Sequence, residues 1–293
     1  MVLESIVNPF KAEKHPFELF LIGFIYTTVG LFLGLWIFKD HAGLISVFFT
    51  TMAALPLFYR TMKYEEKKDI VIKKESKLLK EHMRALLFFI LFFLGCTVAY
   101  SVWFSVLPIK LSYEIFYPQA NTISEINQKV TGLTINAQFN QFLKIFLNNI
   151  NVMIFSLFFS FVYGSGAIFI LSWNASVIGV AVGNFFKTNL AELLSITGVN
   201  SFSNYFTVTY LSFFRYAIHG IPEIFAYFVA GLAGGIFSAA IIRRDFAPER
   251  IDRVIKDCSV LMLIAVLIVF FAALIEVYVT PCLFFYLKYG TCY

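Results

Sequence analysis

Residues 215–223 combine the types and the spacing of side chains that could carry chemistry. His219 and Glu223 are four residues apart, a spacing that places two side chains on one face of a helix. Gly220 and Pro222 stand between them, which predicts that a new helix begins there with its free N–H groups facing His219. Two interpretations stay open: the pair is functional, or it caps a helix and bonds a neighbouring one.

Asparagines at the ends of neighbouring apolar segments extend this constellation. A glutamate at a lipid boundary is costly unless a helix N-terminus, a cation or an amide stabilises it. Asn149 is the amide that we expect to meet Glu223. The predicted polar cluster comprises His219, Glu223, Asn149, Arg215 and Asn174.

Residues for other kinds of site are sparse. The four histidines are dispersed, and neither His-Glu-x-x-His nor Cys-x-x-Cys occurs, so we predict no metal and no cofactor. No catalytic residue is assigned. An intramembrane hydrolase or transferase built on His219 and Glu223 would need a third polar group, such as Arg215 or Asn149.

The cysteines divide according to their position in the chain. Cys96 and Cys258 lie in or beside apolar segments, whereas Cys282 and Cys292 share the C-terminal tail. We predict a disulfide between Cys282 and Cys292, which an oxidising compartment would permit. Two free thiols are the alternative.

The elements that must position these residues follow from composition. Of 293 residues, 59% are apolar and 14% are charged, and the mean hydropathy is +0.79. Such values exclude a disordered chain and an ordinary soluble enzyme. Apolar blocks long enough to cross a bilayer cover residues 17–38, 42–59, 85–107, 150–173, 222–242 and 259–279. A seventh block, residues 175–186, is short and either crosses or re-enters. We therefore predict an all-α polytopic helical bundle of about seven spans.

The distribution of lysine and arginine predicts the orientation. Sixteen of the 23 lie before the first block, in residues 60–84 or in residues 243–256. The positive-inside rule then places the N-terminus in the cytoplasm and, with seven crossings, the C-terminus outside a cell membrane. A net charge of +5 is too small to indicate nucleic acid, so we expect none as a partner.

Small residues recur at a spacing that lets helices approach closely. Packing within one subunit explains them, and homo-oligomerisation stays open. The predicted helix-packing residues are Gly179, Gly183, Ala230, Gly231, Gly234 and Gly235.

These elements resemble a known family. The run that begins at Asn148, Gly164-Ser-Gly166, the His219–Glu223 element and Ala230-Gly-Leu-Ala-Gly234 are similar to the stage II sporulation protein M family of integral membrane proteins. The resemblance covers about residues 85–280. It implies a membrane domain at residues 85–293, preceded at residues 1–84 by a helical hairpin with a basic cytoplasmic loop, as in archaeal members. In spore-forming bacteria the family anchors a peptidoglycan-degrading complex.

Three classes of function follow. The resemblance favours a non-enzymatic scaffold that recruits other membrane or envelope proteins and helps to remodel the envelope. A transporter or channel subunit is the alternative, because interrupted helices often line a ligand pathway. An intramembrane enzyme that uses His219 and Glu223 is the third.

Overall fold

The computed structural model describes residues 16–71, 75–128, 135–163, 166–197, 202–242 and 248–283. Within these ranges the chain is helical, as the composition predicts. A π-helical segment, Ile275–Val279, continues from the last helix. The α-helices are α1 (Pro16–Ile37), α2 (Ala42–Val71), α3 (Glu75–Val106), α4 (Ile109–Ile115), α5 (Tyr117–Gln128), α6 (Ile135–Tyr163), α7 (Ala167–Thr197), α8 (Phe202–Ile242) and α9 (Pro248–Leu274).

Seven of the described helices are long and apolar enough to cross a membrane, which confirms the all-α polytopic bundle. Their outward faces are apolar: along α1, Phe17, Leu21, Ile25 and Val29 are each about half exposed. A stripe at this spacing would be unfavourable in water, and it is the face that contacts lipid in a bilayer. The protein is therefore a multi-pass membrane protein.

The fourth and fifth spans correct two sequence predictions. The block at residues 150–173 is not one span, because α6 ends at Tyr163 and α7 begins at Ala167. Gly164 and Gly166 fall between these helices and favour the break. Residues 175–186 lie in the middle of α7, which is 31 residues long and continuous, so this segment neither re-enters nor forms a short span.

Helix α8 forms the centre of the bundle, packed against α6, α7 and α9. In the most apolar stretch of α8, 82% of the residues are buried, compared with 22% in that of α6. A stack of aromatic rings joins this centre to the N-terminal helices: Phe89 stacks on Phe58 of α2 with centroids 4.4 Å apart, and on Phe228 of α8 at 5.7 Å. The site described below is carried on α8.

The predicted division between residues 84 and 85 falls inside α3, which continues through it. Helix α1 packs closely along α3, where Gly23 and Gly95 each face backbone of the other helix. The two N-terminal helices, α1 and α2, thus share one hydrophobic core with the other long helices.

The two ends of the bundle differ. Helices α2 and α3 extend beyond the apolar blocks at residues 42–59 and 85–107, to Val71 and from Glu75, at what we call the basic end. At the opposite end α4 and α5 lie across α2, α3 and α7, and we call this the capped end. There Gln119, fully buried on α5, donates from Nε2 to the Gly43 carbonyl and to Ser176 Oγ, both at 3.2 Å.

Candidate functional site

The most unusual chemistry in the described structure is a pair of carboxyl groups inside the bundle. Glu223 of α8 and Glu276 of the π-helical segment lie side by side, close enough for their carboxyl groups to interact. Asn149 of α6 donates from Nδ2 to Glu223 Oε1 at 2.7 Å. We call Asn149, Glu223 and Glu276 the carboxyl cluster. Each member lies within a candidate span, so the groups are placed where water is scarce.

The local helix differs from the sequence prediction. No helix begins after Gly220: α8 runs without interruption from Phe202 to Ile242, with Pro222 in its interior. Free N–H groups of a helix start therefore do not stabilise Glu223, and the amide of Asn149 does so instead. Proline interrupts helices less in apolar surroundings, because neighbouring helices compensate for the lost backbone bond.

The continuous helix places His219, Glu223 and Tyr227 on one face, at successive intervals of four residues. Tyr227 is only 3% exposed and lies beside both carboxyl groups. His219 Nδ1 lies 3.4 Å from Thr280 Oγ1. The side chains of His219, Glu223 and Tyr227 thus lie on the face of α8 that is turned towards the end of the last span.

The π-helical segment explains how Glu276 and Thr280 reach this face. Thr280 Oγ1 donates to the Ile275 carbonyl, five residues earlier, at 3.1 Å. A π turn inserts an extra residue into a helix and redirects side chains, and such turns are frequent at functional sites.

A hydrogen bond between two carboxyl groups requires a proton on one of them, because ionised carboxylates only accept. Asn149 supplies a further donor to the pair. The arrangement can therefore hold a proton inside the membrane. Among the described residues, no group of three or more His, Cys, Asp or Glu side chains has the arrangement of a metal site.

Two members of the predicted polar cluster are not among the contacts of Glu223 that the structure describes. Asn174 donates from Nδ2 to the Ile170 carbonyl at 2.8 Å, within its own helix, so its amide does not serve Glu223. Arg215 belongs to α8, but its side chain lies outside the described residues. Cys282 is disulfide-bonded, whereas Cys292 lies outside the described residues, so their pairing stays a prediction.

The predicted packing glycines lie at close helix contacts. A Cβ atom at Gly179 would lie 2.6 Å from the Thr97 carbonyl oxygen on α3, and one at Gly183 would lie 2.9 Å from that of Ser101. On α8, Gly234 faces the Leu157 carbonyl of α6, and Gly231 faces Ala167 of α7. Ala230 and Gly235 are buried in the same stretch.

A second polar network, which the sequence did not reveal, joins α2 to α3 at the basic end. Glu65 is fully buried and binds Lys68 Nζ at 2.8 Å and His82 Nδ1 at 2.9 Å. Lys68 also lies 3.4 Å from Glu81, which binds Arg84. Buried charges are tolerated when they are paired, and this pairing joins α2 to α3 at Glu65 and His82.

Glu276 is the residue that sequence reasoning missed. A signal was present, since it is the only charged residue in the block at residues 259–279. An ionisable side chain in such a block marks a functional candidate by itself. Its meeting with Glu223 depended on helix packing and on the π turn, which no short-range pattern encodes.

Comparisons with known proteins agree with the resemblance drawn from the sequence. The sequence model of the family described as stage II sporulation protein M matches residues 23–281. A relative from Methanocaldococcus jannaschii, described as an uncharacterised protein, is 30% identical over 186 residues, which are 60% of this chain and 94% of the relative. No solved structure matches the chain. The matched residues include α2 and most of α1, and so extend further towards the N-terminus than residue 85.

Proposed function

The chain belongs to the stage II sporulation protein M family, and from this premise we propose that it is a non-enzymatic membrane scaffold that recruits other membrane or envelope proteins. The observation that carries the proposal is the helical hairpin at the basic end. It consists of α2 from Arg60 to Val71 and of α3 from Glu75 to Arg84.

This hairpin has the features of a docking element. Glu65, Lys68 and His82 fix the two helices against each other at its base, so partner binding would not have to order them. Nine lysine and arginine residues fall in residues 60–84, against five acidic ones. Arg60 and Lys63 are exposed. A basic surface of this kind is complementary in charge to an acidic segment of a partner protein, which it would hold close to the membrane.

We propose the corresponding orientation in the cell membrane. The N-terminus and both basic segments face the cytoplasm by the positive-inside rule, and the C-terminus lies outside. The hairpin would then recruit a partner on the cytoplasmic side. The capped end, with α4 and α5, would face the envelope.

Crosslinking in native membranes tests the proposal. A photoreactive side chain replaces Lys63 at the basic end or Lys110 at the capped end, and the protein is affinity-purified after illumination. We expect one protein, present in stoichiometric amounts, that is crosslinked from position 63 more strongly than from position 110. Crosslinks to lipid alone, or to many proteins in trace amounts, would contradict the scaffold.

A second candidate function rests on the carboxyl cluster. We propose as the alternative that the protein is a transporter subunit in which Glu223 and Glu276 bind and release a proton. Purified protein in liposomes with an internal pH dye tests it. The alternative is supported if wild-type protein makes the proton gradient collapse faster than in empty liposomes and Glu276→Gln does not. This result would count against a purely structural role of the carboxyl cluster. An unchanged gradient would remove this alternative and leave the scaffold in place.

A further inference from the structure

A narrow cavity between α3, α7 and α8 has no occupant among the side chains that surround it. Its volume is about 60 Å³. Leu94, Ile178, Val182 and Ile221 contribute to its walls. Gly220 forms part of the α8 wall, and a Cβ atom there would meet nothing within 4 Å. The absence of a side chain at this position keeps the space open.

The cavity follows the axis of the bundle. On α3 its lining extends from Ile90 to Thr97, and on α8 from Tyr216 to Ile224. At the rise of an α-helix, these seven- and eight-residue intervals correspond to roughly 10–12 Å. The lining thus extends along the helices over several residues, as an extended chain lying parallel to them would require.

The walls exclude water as the occupant. A buried water needs two to four polar partners, and most of the lining side chains are aliphatic or aromatic. The Thr97 hydroxyl donates to the Phe93 carbonyl at 3.0 Å, so it is satisfied within its own helix. The cavity lies within the spans of three helices, where the surrounding solvent is hydrocarbon.

The cavity is continuous with the surface that faces lipid. Ile221 lines it and is 45% exposed, so the cavity opens sideways between the helices. We propose that this groove, formed around Gly220, binds one aliphatic chain of a membrane lipid. In a bilayer such binding is driven by van der Waals packing, since an unfilled gap between helices forfeits those contacts.

Photolabelling tests the proposal on the full-length protein. The probe is a phosphatidylglycerol vesicle that contains phospholipid with a diazirine at the middle of one acyl chain. Wild-type protein should carry adducts on residues 90–97 and 216–224. Gly220→Leu fills the groove, and these adducts should fall by about tenfold because a filled groove excludes the chain.

Two further variants make the result decisive. Val182→Phe fills the groove from α7 and should have the same effect if Gly220→Leu does not fold. Val98→Leu is the matched control: Val98 is 39% exposed on α3 and is not among the lining residues, so labelling in the groove should be unchanged. Groove labelling that persists in both filled variants, or that does not exceed labelling of the outer face of α3, would overturn the proposal.

Discussion

At the scale of single residues, two substitutions of Glu223 distinguish a structural role of the carboxyl cluster from a chemical one. Both act on the hydrogen bond that Asn149 donates to Glu223. The amide of Glu223→Gln can still accept from Asn149 and bond Glu276, so we expect the variant to keep its thermal stability. Glu223→Leu removes the acceptor of the Asn149 amide, and a buried donor left unsatisfied costs about 1–3 kcal/mol. We therefore expect a lower melting temperature and a lower yield of purified protein in detergent.

Glu114→Leu is the control for this pair of variants, because Glu114 is exposed on α4. It should leave the melting temperature unchanged. If Glu223→Gln is folded but loses partner crosslinking or proton transport, then the carboxyl cluster is functional, and His219→Gln should behave in the same way. Equal stability of Glu223→Leu and wild type would refute the packing described around Glu223.

The C-terminal cysteines provide a second prediction at this scale. Cys282 is disulfide-bonded, whereas Cys96 and Cys258 keep their thiols. We expect the intact mass after alkylation without reductant to show two modified thiols, and after reduction to show four. Peptide mapping should assign the protected pair to Cys282 and Cys292. Alkylation of these two positions before reduction would exclude the disulfide.

At the scale of helices, the contact of α7 with α3 depends on the absence of a side chain. Gly179→Ala introduces a methyl group 2.6 Å from the Thr97 carbonyl oxygen and from Tyr100 Cβ, so the helices must separate. Overpacking of this kind costs about 1–3 kcal/mol. Gly220→Ala, the matched control, meets open space and should be neutral or slightly stabilising. Unfolding in denaturant compares the two, and an equal effect would contradict the α3–α7 packing.

Helix existence was predictable because a span needs about 20 apolar residues, a property of composition over a long window. Helix limits were not. The apolar run at residues 150–173 crosses the boundary between α6 and α7 without a charged residue, so only the short stretch at residues 163–166, with its two glycines, marked the break. Pro222 was the converse case, a strong local signal that the apolar surroundings overrode.

The candidate site was predictable in part for the same reason. His219 and Glu223 share a helix face whether or not a helix begins between them, and Asn149 was the expected amide. Asn174 donates to the Ile170 carbonyl, because an asparagine in a span can satisfy its amide on its own backbone. Glu276 enters through a π turn, which depends on packing between α8 and α9.

At the scale of the whole molecule, the basic end and the capped end should lie on opposite sides of the membrane. Single cysteines replace Lys67 and Gln128 in a background that lacks the native cysteines. We expect an impermeant thiol reagent added to intact cells to label position 128 and not position 67, and both positions after lysis. Labelling of position 67 from outside would reverse the orientation.

The scaffold depends on recruitment through the basic end, and partner stoichiometry in native membranes measures it most directly. The double variant Arg60→Gln/Lys63→Gln removes two exposed cations from the hairpin, and Lys110→Gln/Lys144→Gln removes two exposed cations elsewhere. After in-membrane crosslinking and affinity purification, we expect the hairpin variant to lose most of the partner, while the control variant and wild type retain it. A partner that is retained equally by all three proteins, or the absence of any stoichiometric partner, would contradict the proposal.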